Sequence, residues 1–181
     1  KEEAMRFQPI SFSGVATAAF REASNAKDYI KKVNNELGLN VDIIGQDAEA
    51  EVGFYGVANK VGNKENIVVW DIGGGSMQIS SLINKKVFVV HLDDLASVRF
   101  KNYIIKNIQG KTEQVSPNPI AKKEAEKAVR YAESRSASVT SMLANKIKGR
   151  NIKVYGIGGV HRYSILGQVR NDKKEYSQLE L

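Results

Sequence analysis

The run Asp71-Ile72-Gly73-Gly74-Gly75-Ser76 carries residue types that can hold a phosphate. Three consecutive glycines allow an anion to come close to the backbone. Successive N–H groups in such a turn form a nest for phosphate oxygens. Asp71 can hold Mg²⁺ through a water, and Ser76 can donate its hydroxyl. A glycine-rich hairpin corner with no ligand would also account for the run. A second corner, Gly156-Ile157-Gly158-Gly159, stands between a strand-like run and a helix-like one. A phosphate can be received at the helix start after such a turn, and tight strand–helix packing would read the same way. Two strand-borne glycine corners pointing the same way describe a phosphate-binding cleft.

Charged candidates stand elsewhere. Arg21 can clamp a phosphate through two N–H groups, or be an exposed cation at a helix entrance. Asp47, Glu49 and Glu51 open a helix, where acids favour the macrodipole; Glu49 can instead project into a cleft as a base. His91 and His161 have no metal-ligand spacing around them and are assigned no chemistry.

These residues need elements to position them. Ile10 to Ala19 is strand-like and ends at Arg21. A helix follows from Ser24 or Asn25, with Tyr29, Ile30, Val33 and Leu37 on one face and Gly38 as its stop. Val41 to Ile44 is a short strand, and Gln46 to Lys60 a helix weakened by Gly53 and Gly56. Three strands come next, Ile67–Ile72, Ser76–Ile83 and Val87–Leu92, with Asn84-Lys85 turning the second into the third. Leu95 to Asn107 is helical. From Lys122 to Lys153 there are nine Lys or Arg against three Glu. Ala125, Ala128, Ala132, Val139, Leu143 and Ile147 recur there at helical spacing, so one long amphipathic helix with a basic outer face is expected, Pro119 lying in its first turn. That face is either solvated surface or a track for polyphosphate. Ile152 to Tyr155 is a strand, and Val160 to Val169 opens another helix.

Composition bounds the reading. The 181 residues suffice for one or two small domains with a core, and 42% hydrophobic with 26% charged content fits a globular protein. With no cysteine in the chain, disulfides, thiol nucleophiles and Cys-based metal sites are excluded; a reducing compartment agrees with this. No apolar run is long enough to cross a bilayer. The net charge of +7 favours polyanionic partners.

The order of motifs resembles the Ppx/GppA phosphatases, the exopolyphosphatases and guanosine pentaphosphate phosphohydrolases. Val15-Ala16-Thr17-Ala18-Ala19-Phe20-Arg21-Glu22-Ala23 followed by Asn25 is similar to that family's Val-Ala-Thr-x-Ala-x-Arg-x-Ala-x-Asn segment. Ile43-Ile44, Glu49-Ala50 and Gly56-Val57 parallel its Ile-Ile-(Ser)-Gly-x-Glu-Glu-Ala segment, Asp71 to Ser76 its second phosphate loop, and Gly158-Gly159 its late Gly-Gly-Thr turn, with Val160 for Thr. The resemblance runs from about Gly14 to Gly167.

It implies an α/β, ribonuclease-H-like fold of the actin/Hsp70/sugar-kinase superfamily, with a mixed sheet flanked by helices. Residues 1–61 would be the C-terminal part of a first such domain and 62–181 a second. It implies that Glu49 is the catalytic carboxylate near the attacking water and that Asp71 helps hold Mg²⁺. Arg21, Gly73, Gly74, Gly75, Ser76, Gly158 and Gly159 would contact phosphate. Polyphosphate or guanosine penta- or tetraphosphate would be the ligand, in a bacterial cytoplasm, with no membrane and no specific nucleic acid as partner; a homodimer is compatible.

Three departures qualify this. The family's first phosphate loop, Asp-x-Gly-Ser/Thr-Asn-Ser, is absent, and truncation upstream is the economical account. Gln78 replaces a Glu two residues after the loop serine; it cannot take a proton, although it can orient a water. Ala48 replaces a second Glu, and Glu51 a common Arg. The expectation is therefore a Mg²⁺-dependent hydrolase of terminal phosphoanhydrides, with a catalytically weakened polyphosphate- or alarmone-binding regulator as the alternative. An ATP-dependent kinase or actin-like ATPase is the third reading, opposed by the Arg21 and Glu49 segments.

Overall fold

The computed structural model describes residues 2–112, 116–149 and 151–165. It divides into two compact units, Lys1–Glu49 and Ala50–Leu181.

In the first unit, α1 (Glu2–Met5) precedes β1 (Ser13–Ala16), α2 (Ala18–Glu22), α3 (Ala26–Leu37) and β2 (Asn40–Ile43). β1 and β2 pair in parallel, Ser13 opposite Asn40 and Ala16 opposite Ile43, so α2 and α3 form the crossover that parallel strands require. α3 ends as expected: Gly38 takes the left-handed conformation, φ 57°, and its N–H donates to Asn34 O. Asn34 also holds the helix to β2. Its Nδ2 donates to Val41 O and its Oδ1 accepts from Val41 N–H, both at 2.9 Å. Two expectations fail here. The strand is only four residues long, and Arg21 sits in the last turn of α2 rather than at a strand end. The reason is the run Ala18-Ala19, which favours helix as soon as the β-branched Val15 and Thr17 are passed. On α3, Ile30 and Val33 are half-buried, but Tyr29 and Leu37 are about half exposed.

α4 (Gln46–Val61) runs across the division, and the second unit continues with β3 (Ile67–Ile72), β4 (Met77–Ile83), β5 (Val87–Asp93) and α5 (Ser97–Tyr103), which a π-helical turn extends over Ile104–Ile108. α6 (Lys122–Ser136), α7 (Ser141–Ile147), β6 (Lys153–Ile157) and a π-helical segment, Val160–Ile165, follow. The sheet order is β5-β4-β3-β6. β3, β4 and β5 form an antiparallel meander, and β6 lies parallel to β3. The sheet is thus mixed and flanked by helices, the α/β class expected. Asn84 and Lys85 turn β4 into β5 with φ 50° and 64°, the positive pair that matches strand twist. Strand alternation puts Ile67 and Val69 of β3 and Leu82 of β4 on one face, where they pack with Phe54 and Ala58 of α4. Phe54 is wholly buried, its ring edge-on to Phe88 at 5.5 Å. Burying such a ring contributes about 1.5–3 kcal/mol. α7 lies against β4 and β5 with Leu143 buried.

The single basic helix is not observed. It starts at Lys122, beyond Pro119, and breaks between Ser136 and Ser141. Serine chemistry explains the break. The hydroxyls of Ser134, Ser136 and Ser138 donate to the carbonyls of Tyr131, Glu133 and Arg135 at 2.6–2.7 Å, competing for groups a helix would use. Thr140 then caps α7, its Oγ1 accepting from Leu143 N–H. The expected helix after the second glycine corner forms over Val160–Ile165; its continuation to Val169 lies outside the described residues.

Candidate phosphate-binding site

The Gly73–Ser76 corner joins β3 to β4, and its own backbone closes it: Gly73 N–H donates to Ser76 O at 3.0 Å. Its carbonyls face the start of α5. Gly73 O accepts from Ser97 N–H and from Ser97 Oγ, both at 3.1 Å, and Gly74 O accepts from Val98 N–H at 3.0 Å. The orphan N–H groups of the helix start are therefore satisfied by the loop. With its carbonyls turned that way, the loop keeps the N–H groups of Gly74 and Gly75 without an acceptor among the described residues. Gly74 is exposed. None of Gly73, Gly74 and Gly75 belongs to the positive-φ residues. Glycine serves close approach here, not a forbidden angle.

The special angle is at the second corner. Gly156 and Ile157 belong to β6, so the turn proper is Gly158-Gly159, and Gly158 has φ 90°. β6 runs parallel to β3 with Ile157 opposite Asp71. Both glycine corners therefore leave the same end of adjacent strands, as expected. A Cβ on Gly158 would stand 2.6 Å from Ile72 O and 2.8 Å from Asp71 Oδ1. A Cβ on Gly53 of α4 would stand 3.2 Å from Ile157 Cδ1 and 4.0 Å from Asp71 Oδ2. The Asp71 carboxylate thus lies against Gly158, where a Cβ would collide with it, while a Cβ at Gly53 would press on Ile157 and only touch Asp71.

Gln78 is directly opposite Asp71 across the antiparallel pair. It is 2% exposed, and its Nε2 donates to Ser76 Oγ at 3.1 Å. The amide is thus tied to the loop serine. In the first unit, α2 and the first turn of α4 bring Arg21 and Glu49 together. Arg21 Nη1 donates to Glu49 Oε2 at 2.8 Å and to Ile44 O at 3.0 Å, and both side chains are about one-fifth exposed. Glu51 is exposed on α4, and Asp47 folds back over Gly45.

The two histidines are structural neighbours of these elements. His161 is buried, its ring edge-on to Trp70 at 5.1 Å and against Gly156, where a Cβ would collide with it. Burial pushes its pKa below the ordinary 6.5. His91 is buried with Nε2 3.7 Å from Asp93 Oδ2. Sequence reasoning missed Gly53, Ser97 and this packing role of Gly156. Ser97 gave a faint signal as a hydroxyl at a helix start; Gly53 gave none, because its role follows from the β3–β6 register.

No group of three or more His, Cys, Asp or Glu among the described residues could hold a metal ion. Mg²⁺ does not require one, since it keeps several waters and binds through one or two carboxylates plus substrate phosphates. Asp71, a carboxylate at the end of β3 beside the loop that would hold phosphate, fits that mode.

The family model described as the Ppx/GppA phosphatase family matches residues 1–156. The crystal structure of the Aquifex aeolicus member of that family superposes with a TM-score of 0.67 at 21% identity, over 99% of this chain and 52% of that one. An exopolyphosphatase from Cytophaga hutchinsonii superposes with a TM-score of 0.66 at 16% identity, over 97% and 53%. Over 70 residues the chain is 37% identical to retrograde regulation protein 2 of Saccharomyces cerevisiae, covering 39% of this chain and 12% of that protein. Over 67 residues it is 40% identical to a bifunctional 3-dehydroquinate synthase/phosphatase of Fusobacterium nucleatum, covering 36% and 10%. The chain therefore spans about half the length of these solved structures. It belongs to the Ppx/GppA phosphatase family.

Proposed function

We propose that the protein containing this chain hydrolyses terminal phosphoanhydride bonds of inorganic polyphosphate or guanosine pentaphosphate. The observation that carries the reading is the Gly73–Ser76 loop, whose carbonyls are tied to α5 while the N–H groups of Gly74 and Gly75 keep no acceptor within the described residues. Two such dipoles on a glycine surface suit a phosphoryl oxygen. Ser76 and the Gly158-Gly159 corner extend the same surface. Asp71 would hold Mg²⁺, which when bound neutralises phosphate oxygens. Glu49, paired with Arg21, has the chemistry of a base that takes a proton from the attacking water. Arg21 would give up part of that pairing to a terminal phosphate. Residues 1–61 would be the C-terminal part of a first ribonuclease-H-like domain and 62–181 the second. The cytoplasm is the compartment that fits such substrates.

The test is phosphate release by the full-length protein from polyphosphate and from guanosine pentaphosphate, with and without Mg²⁺. Release that needs Mg²⁺ supports the reading. Binding without release favours the alternative, a regulator that binds polyphosphate or an alarmone. The buried Gln78 amide, hydrogen-bonded to Ser76 where the family resemblance calls for a carboxylate, is what keeps that alternative open.

A further inference from the structure

We propose that a hollow on the second unit, away from the glycine corners' own residues, is a nucleotide site that grips its ligand through the base. It encloses about 260 Å³ beside α5, its π-helical extension and α6. Phe100, Tyr103 and Tyr131 line it with Arg99, Lys106 and Asp94. The Tyr103 and Tyr131 rings stack with centroids 3.7 Å apart and planes 13° apart, and Phe100 lies 6.2 Å from Tyr131 at 12°. The three half-buried rings line the hollow in nearly parallel planes; Tyr103 and Tyr131 cover each other's inner faces, and a planar base extends the stack from an outer face.

Charge flanks this surface. Arg99 of α5 and Lys106 of its π-helical extension both line the hollow. Asp94 pairs with Arg99 at 3.7 Å and with Arg135 at 2.8 Å, and remains exposed. Its carboxylate can accept from a base N–H while the cations beside it receive a phosphate. Arg135 also holds the buried Asp93, which fixes α6, and with it Tyr131, against the end of β5. An inorganic phosphate chain has no π face for the rings, and an apolar ligand leaves Arg99 and Lys106 unused. A nucleotide uses both. The site stands apart from hydrolysis and does not depend on the reading of the glycine loop.

The experiment is calorimetric titration of the full-length protein with GDP and, as a baseless control, tripolyphosphate. Tyr131→Leu keeps apolar volume but removes the stacking face; it is expected to weaken GDP binding about tenfold and to leave tripolyphosphate unchanged. Lys106→Ala, on an exposed side chain that folding does not need, is expected to weaken GDP binding severalfold. Circular dichroism confirms the fold of each variant. GDP affinity unchanged in both variants, or tripolyphosphate affinity lost in step with that of GDP, would overturn the proposal.

Discussion

Gly158 constrains the Asp71 carboxylate. Gly158 has both a left-handed angle and two oxygens within 2.8 Å of where a Cβ would be. Gly158→Ala should therefore cost about 1–3 kcal/mol in strain and displace Asp71. Thermal unfolding and Mg²⁺-dependent phosphate release should both suffer in that variant. Gly74→Ala makes the comparison, because its Cβ would meet only the Val98 methyl at 3.3 Å, with no positive φ. Its stability should stay near wild type, whereas Gly74→Val should lose phosphate binding while keeping its circular dichroism spectrum. Equal destabilisation by the Gly158 and Gly74 alanines would refute this account of the two corners. At the other candidate, Glu49→Gln should lower turnover by about 10²-fold or more with substrate affinity nearly intact. Unchanged turnover would leave Glu49 as the partner of Arg21 and nothing else. His161 adds a pH signature. Its pKa is lowered by burial, so the unfolded chain takes up a proton that the folded one refuses. Stability from this source is complete above pH 6.5 and falls as pH drops below it. His161→Phe should flatten the decline in urea midpoint between pH 7 and 5.

Among the elements, the sheet was legible and the helices less so. β3, β4 and β5 announce themselves as apolar and β-branched runs around Asn84-Lys85, and the structure places them within a residue or so of that reading. The five-residue α2 was not legible, since Val15-Ala16-Thr17 blends into it without a glycine or proline. Nor was the break after α6, where an unbroken 3.6-residue pattern hides serine hydroxyls that reach back to carbonyls. The loop's chemistry was visible as residue types. Its orientation was not, because it depends on Ser97 and Val98 meeting carbonyls 24 residues away. The ion pair that braces α6 was equally hidden, 42 residues separating Asp93 from Arg135. Burial pushes the Asp93 pKa up, but the Arg135 hydrogen bonds, the Leu95 N–H and nearby positive charge outweigh it and hold the group below 3.8. Arg135→Leu should leave a buried carboxylate short of partners and cost about 1–3 kcal/mol at pH 7. The wild type's advantage exists above the unfolded pKa and is lost as pH falls through the lowered folded value. Urea midpoints of the two proteins should therefore converge as pH falls below 3.8. A gap that stays constant with pH would mean that Arg135 acts through packing alone.

For the molecule as a whole, the question is whether its charge of +7 is a guide for polyanions or a solvated surface. The outer face of α6 is where the two readings part. Lys122, Lys123, Lys127 and Arg130 are exposed there, but Glu126 stands four residues from both Lys122 and Arg130. That spacing gives mutual neutralisation of a few tenths of a kcal/mol per pair, and it interrupts the positive stripe a phosphate chain would follow. Exposed charges also lose influence beyond about 8 Å at physiological ionic strength. Replacing Lys122, Lys123 and Lys127 together by Gln should change stability by no more than about 0.5 kcal/mol. If the glycine corners are the polyphosphate site proposed above, affinity of the full-length protein for long polyphosphate at 0.15 M salt should stay within about twofold. The same variant at low salt should bind long chains more slowly, since steering responds to net charge even where the bound state does not. Titration at two salt concentrations, with tripolyphosphate as a ligand too short to reach α6, separates these effects. A tenfold loss for long chains at 0.15 M salt, with tripolyphosphate unaffected, would make α6 a polyphosphate track after all.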